Sequence, residues 1–173
     1  MHTKENCLQK NLVLIGMPGA GKSTVGVVLA KRLGLGFVDT DLLIQLRAGK
    51  QLQEIIDKEG LQKFRRLEEQ ALLEFDVCNT VIATGGSAVY SDAAMRHLGQ
   101  IGTIIFLDLP LAELEQRLQD MATRGLVIDP NATLADLYDE RLPLYRGWAD
   151  ITIETRDINL EQVVETICQH CSH

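Results

Sequence analysis

The stretch Gly16-Met17-Pro18-Gly19-Ala20-Gly21-Lys22-Ser23 meets the phosphate-binding pattern G-x-x-x-x-G-K-[ST] at every fixed position. The residue types state the chemistry. Glycines let the backbone wrap until its N–H groups converge on phosphate oxygens, and the N-terminus of a following helix adds positive potential. Lys22 can reach β- and γ-phosphates, and the Ser23 hydroxyl can ligate Mg²⁺. The expected nucleotide-binding set is Gly19, Ala20, Gly21, Lys22, Ser23 and Thr24, with ATP and Mg²⁺ as the implied cofactors. A plain glycine turn is the bland alternative, and the strand and helix patterns flanking the loop argue against it. Kinases, GTPases, motors and transport ATPases all share such a loop, so alone it implies nucleotide binding and nothing finer.

Two carboxylates come next, in Asp39-Thr40-Asp41 at the end of a second predicted strand. Strand ends of a parallel sheet meet at one edge, where ligands bind. One carboxylate could hold a metal-bound water while the other faces an acceptor; either could instead cap the following helix. No Asn-Lys-x-Asp motif for reading guanine is present, and 173 residues leave little room for the added domains of motors and transporters.

Elements must bring these residues together, and the pattern supplies them. Short β-branched runs at 11–15, 37–38, 80–83, 102–107 and 151–153 alternate with helical periodicity, as in an α/β fold with a parallel sheet. Helices are predicted at 22–33, 41–48, 51–76 with a break near Gly60, from Ser91, from Pro110 to about Leu118, from Thr133 to about Arg146, and around Leu160–Ile167. Thr133 with Asp136 resembles a capping box. Residues 120–131 lack periodicity and contain Gly, Pro and Asn, which predicts a mobile loop. No repeat or linker divides the chain, so one domain over 1–173 is expected.

Composition excludes several classes. The apolar share is 46%, the charged share 24% and the net charge −7, which argues against a nucleic-acid partner. Lys63, Arg65 and Arg66 sit among glutamates and read first as a solvated helix face. Residues 1–10 are polar and every apolar run is strand-length, so neither a signal peptide nor a membrane span is expected, and the cytoplasm is the expected compartment. Four scattered cysteines are expected to be reduced, and the Cys168/His170/Cys171/His173 tail reads as a frayed helix end rather than a metal site.

The string LIGMPGAGKSTVGVVLAKRLGLGFVDTDLLI, followed by GLQKFRRLEEQAL, VIATGG and ERLPLYRGWADITI, resembles the shikimate kinase family in order and spacing over most of residues 11–154. The resemblance implies a three-layer P-loop kinase fold, with a five-stranded parallel sheet flanked by helices and a closing lid at about 120–131. It implies ATP-dependent phosphorylation of a hydroxyl on a small carboxylate metabolite, most simply shikimate; a monomer is the expected state, although the sequence itself is silent on assembly. Under it, Lys22 and Ser23 match the phosphate and Mg²⁺ residues, Asp39 the metal-shell acid, and Asp41 the base that holds acceptor hydroxyls. Arg65 and Arg141 match the carboxylate clamps, with Glu68 supporting Arg65. Gly85 and Gly86 match the acceptor platform, Arg117 an arginine near adenine, and Arg124 the lid arginine. Lys22, Asp41 and Arg124 are thus the implied catalytic set. The physics agrees: a guanidinium presents a planar fork to a carboxylate, and a lid arginine can neutralise charge on the transferring group.

Three positions depart from the family pattern, all on the acceptor side. Ser87 follows Gly85-Gly86 where a third glycine is usual, Gly125 stands where the lid usually has proline, and Ile56 replaces a pocket aromatic. A changed acceptor such as homoserine is the alternative this raises, and a nucleotide-binding module without catalysis is a more distant one.

Overall fold

Asn11–Ile15 is apolar beyond its first residue, and such a run is stable as a strand only where both faces are covered. In the computed structural model, which describes residues 11–120 and 132–171, this segment is buried throughout and forms the central strand β1. Its one polar side chain is satisfied. Asn11 Nδ2 donates to the carbonyls of Val77 and Ile101, and its Oδ1 accepts from the Thr80 amide.

The other strands are β2 (Gly36–Asp39), β3 (Thr80–Ala83), β4 (Gly102–Asp108) and β5 (Ile151–Glu154). They order as β2-β3-β1-β4-β5 and every pairing is parallel, so all strand C-termini share one edge. The crossovers are helical, as parallel neighbours require. They begin with α1 (Lys22–Leu33), α2 (Thr40–Ala48), α3 (Leu52–Glu59) and α4 (Leu61–Leu73). After β3 come a 3₁₀ turn at Ala88–Tyr90, α5 (Asp92–Ile101), α6 (Leu111–Asp120), α7 (Leu134–Trp148) and α8 (Leu160–Cys171).

Local chemistry sets the boundaries. Gly60 holds φ 85° and ψ 159°, a combination side-chain-bearing residues avoid, and it splits α3 from α4 where the sequence shows a break. Thr133 and Asp136 form the expected capping box at the start of α7. The main core covers the sheet, whereas Ile44, Ile55, Phe64 and Ala71 form a separate small cluster that joins α2, α3 and α4.

Two expectations at the cysteines need correction. The tail is not frayed up to Cys171: α8 continues to that residue, and Cys168 and Cys171 pack half-buried against the core. Their spacing lies on one helix face, which the sequence pattern underweighted. Cys78, expected to be reduced, takes part in a disulfide. Among the described residues no helix is long and apolar enough to cross a membrane, and no three or more His, Cys, Asp or Glu side chains cluster as metal ligands.

Candidate active site

The loop after β1 delivers Lys22 at the first position of α1. Its side chain folds back, and Nζ donates to the carbonyls of Gly16 at 2.8 Å and Met17 at 2.9 Å. Burial drops the ammonium to about 8, with Asp41 pulling the other way and Arg141 adding to the fall. Arg117, on α6, brings a guanidinium nitrogen to 3.8 Å from where a Cβ on Gly21 would stand, so it flanks the same loop.

Asp39 ends β2 and does two things at once. Its Oδ1 accepts from the amides of Asp41 and Leu42 at 3.0 and 3.3 Å, capping α2, while Oδ2 accepts from the Ser23 hydroxyl at 2.5 Å. The capping and metal-shell alternatives are therefore compatible, because a carboxylate has two oxygens. Two hard oxygen donors converge at the mouth of the phosphate loop, and that donor set suits Mg²⁺.

Thr40, the residue between the aspartates, is fully buried, and its Oγ1 accepts from the Gly85 amide at 3.1 Å. This bond ties the start of α2 to the end of β3. Gly85 then lies between two acids: a Cβ there would stand 2.4 Å from Glu68 Oε1 and 2.6 Å from Asp41 Oδ1. Only glycine fits. Those same two oxygens are buried without a hydrogen-bond partner. Such orphans are rare, and here they mark where a ligand hydroxyl can sit. Burial raises the Asp41 carboxyl to about 6, against Lys22 and with Asp39. Burial also raises Glu68 to about 7, opposed by a hydrogen bond from the Ser87 hydroxyl and reinforced by Asp41.

Arg65 and Arg141 come from different helices, α4 and α7, and meet at one ring. The Arg65 Cζ stands 4.3 Å and the Arg141 Cζ 5.2 Å from the Tyr90 ring centre, and Arg141 Nε donates to Tyr90 Oη at 3.0 Å. Arg141 is 3% exposed, so it is not half of a surface ion pair with Glu140. Arg65 is half-buried and its Nε lacks a partner, while Lys63 and Arg66 remain exposed; only part of that basic cluster is a solvated face. Gly86 faces Arg141, and its carbonyl accepts from Tyr145 Oη at 2.7 Å. Tyr145 stacks on Phe106 of β4, which fixes α7 against the sheet. A cavity of about 220 Å³ has Arg65, Glu68, Ser87 and Tyr90 among its lining residues.

The structure thus gathers Lys22, Ser23, Asp39, Asp41, Arg65, Gly85, Gly86, Arg117 and Arg141 along one sheet edge. Arg124, Gly125 and the expected lid lie outside the described residues, apart from Asp120, which ends α6. Ile56 packs half-buried against the small cluster of α2–α4. Thr40, Tyr90 and Tyr145 were missed by the sequence reading. Thr40 was in plain view inside the Asp-x-Asp pair. Tyr90 had as its only signal a polar aromatic soon after the glycine pair.

A phosphate loop at the C-terminal edge of a parallel sheet, facing a buried carboxylate and two arginines, defines a P-loop kinase of the α/β class. The comparisons narrow this. The family model described as shikimate kinase matches residues 18–172, and the chain belongs to that family. A protein named shikimate kinase from Synechococcus sp. (strain CC9902) is 40% identical over 172 residues, covering 96% of this chain and 88% of the relative. Another from Thiobacillus denitrificans is 41% identical, covering 84% and 81%. Among solved structures, shikimate kinase from Acinetobacter baumannii in complex with shikimate superimposes with a TM-score of 0.87 at 36% identity, covering 94% and 92%. A Janibacter sugar kinase, 20% identical with a TM-score of 0.58, shares the fold alone.

Proposed function

We propose that this chain transfers the γ-phosphoryl group of ATP to a hydroxyl of shikimate, giving shikimate 3-phosphate and ADP. The observation that carries this reading is Asp41 Oδ1: buried, unpartnered, beside Gly85 and within electrostatic range of Lys22. Asp41 accepts the acceptor's hydroxyl proton as that oxygen bonds to the γ-phosphorus and the bond to the ADP oxygen breaks. A carboxyl near 6 is ionised at neutral pH yet basic enough to take the proton.

The loop amides of Gly19, Ala20, Gly21, Ser23 and Thr24 cradle phosphates, and Lys22 exchanges its two carbonyls for phosphate oxygens. Ser23 and Asp39 would hold Mg²⁺, which when bound offsets phosphate charge and fixes the phosphates' orientation. Arg117 lies against adenine, and Arg124 offsets charge on the transferring group; both roles rest on the family pattern. Arg65 and Arg141 grip the carboxylate, Glu68 receives a second hydroxyl, and Gly85 and Gly86 form the floor. The reading carries a single domain acting as a cytosolic monomer on a small molecule. The net charge of −7 supports the lack of a nucleic-acid partner.

The test is ADP release by purified protein with Mg·ATP and shikimate, homoserine or gluconate. Shikimate should raise turnover far above ATP hydrolysis without acceptor. Homoserine as the better acceptor would favour the second reading, which Ser87 motivates by replacing a glycine and engaging Glu68. No stimulation by any of the three would remove the proposal's support.

A further inference from the structure

We propose that Tyr90 sets the two carboxylate-binding arginines relative to one another, making it a positioning residue that determines specificity for acid acceptors. This rests on the reading of Arg65 and Arg141 as a clamp. The two guanidiniums carry like charge and belong to separate helices; the Glu68 carboxylate on α4 attracts both but hydrogen-bonds neither, so it does not fix how they face one another.

Tyr90 adds a directional contact to each guanidinium. Its ring lies under Arg65, with the guanidinium carbon 4.3 Å from the centroid, within cation–π range. Its hydroxyl accepts from Arg141 Nε at 3.0 Å. That bond uses the inner nitrogen and spends neither terminal nitrogen on Tyr90, while Tyr145 gives Arg141 a second side-chain hydrogen bond.

The ring is itself held. Tyr90 closes the 3₁₀ turn, where its amide donates to the Ser87 carbonyl at 3.1 Å. The next residue, Ser91, caps α5 through its side chain. One short segment, 85–91, therefore provides the acceptor floor and the alignment of the clamp above it. A shift in that segment would move both together.

The experiment is calorimetric titration of shikimate and of its methyl ester into wild type, Tyr90→Phe and Tyr90→Leu, with a non-hydrolysable ATP analogue as control. Tyr90→Phe keeps the ring and removes the hydroxyl; Tyr90→Leu removes both. Affinity for the acid should fall about threefold in Tyr90→Phe and about tenfold in Tyr90→Leu. Affinity for the ester and for the ATP analogue should stay within about twofold of wild type. Tyr90→Phe preserves volume, so it carries the test if Tyr90→Leu fails to fold. A wild type that binds acid and ester alike removes the clamp reading and this inference with it. A wild type that discriminates, with variants that discriminate equally well, overturns the Tyr90 inference alone. So does an equal loss for acid, ester and nucleotide, which would mark a general structural role.

Discussion

Asp41 and Glu68 carry two kinds of consequence at the level of single side chains. Asp41→Asn keeps shape but cannot take a proton, so kcat should fall by about a hundredfold or more while the KM for ATP changes little; steady-state kinetics in both substrates checks this. Equal losses in both parameters would remove Asp41 from its acceptor-side role. Glu68 speaks through pH. Its carboxyl sits near 7 in the folded protein against 4.5 for the unperturbed group, chiefly through burial. Across that window the unfolded chain sheds a proton that the folded chain retains, so stability is highest below it and declines as pH rises through it. Each pH unit of such a shift is about 1.4 kcal/mol. Glu68→Gln should flatten the decline between pH 5 and 8 by about 2 kcal/mol in denaturant titrations, with Asp41 leaving a residual slope of the same sign. The phosphate loop and the Asp pair were legible because their spacing is local. Tyr90 was not, since its meaning depends on arginines contributed by two distant helices.

The helices and strands show why the framework was easier to read than the site. Strand cores such as Val81–Ala83 and Ile104–Leu107 are runs of buried apolar residues with Gly or Asn near their ends, and the break at Gly60 needed only its backbone angles. Helix ends were harder. The last turn of α8 extends to Cys171 because half-buried thiols pack on the core, an effect that a polar-looking tail conceals. The start of α7 offers a direct check on local chemistry. Thr133 Oγ1 accepts from the Asp136 amide at 3.1 Å, and the Asp136 side chain accepts in return from the Thr133 amide at 2.9 Å. Thr133→Ala should cost about 1 kcal/mol in a urea midpoint analysis. The KM for shikimate should hold, because Arg141 and Tyr145 lie well beyond the cap and Tyr145 independently fixes Arg141's turn of helix.

Across the whole molecule, the two apolar clusters divide the protein unequally. β1 and β4 lie at the centre of the larger one, whereas α2 and α3 rest on the cluster of Ile44, Ile55, Phe64 and Ala71. Native-state hydrogen exchange should therefore show β1 and β4 amides exchanging only through global unfolding. Amides of α2 and α3 should open at distinctly lower free energy. Equal protection in both regions would contradict this division. Functionally it leaves the phosphate loop and Arg141 on the rigid half and places Asp41, at the start of α2, on the half that yields first.

Lys22 adds one more consequence. Its two bonds to the Gly16 and Met17 carbonyls make the loop's own cation an internal competitor for the anions it serves. Any guest must meet the same conformational tax to release that ammonium, whatever its size. A lone orthophosphate has few further contacts to offset it, while a triphosphate reaches many. The loop should therefore count phosphates: affinity should climb steeply from orthophosphate through pyrophosphate to tripolyphosphate, so that abundant small anions are poor inhibitors.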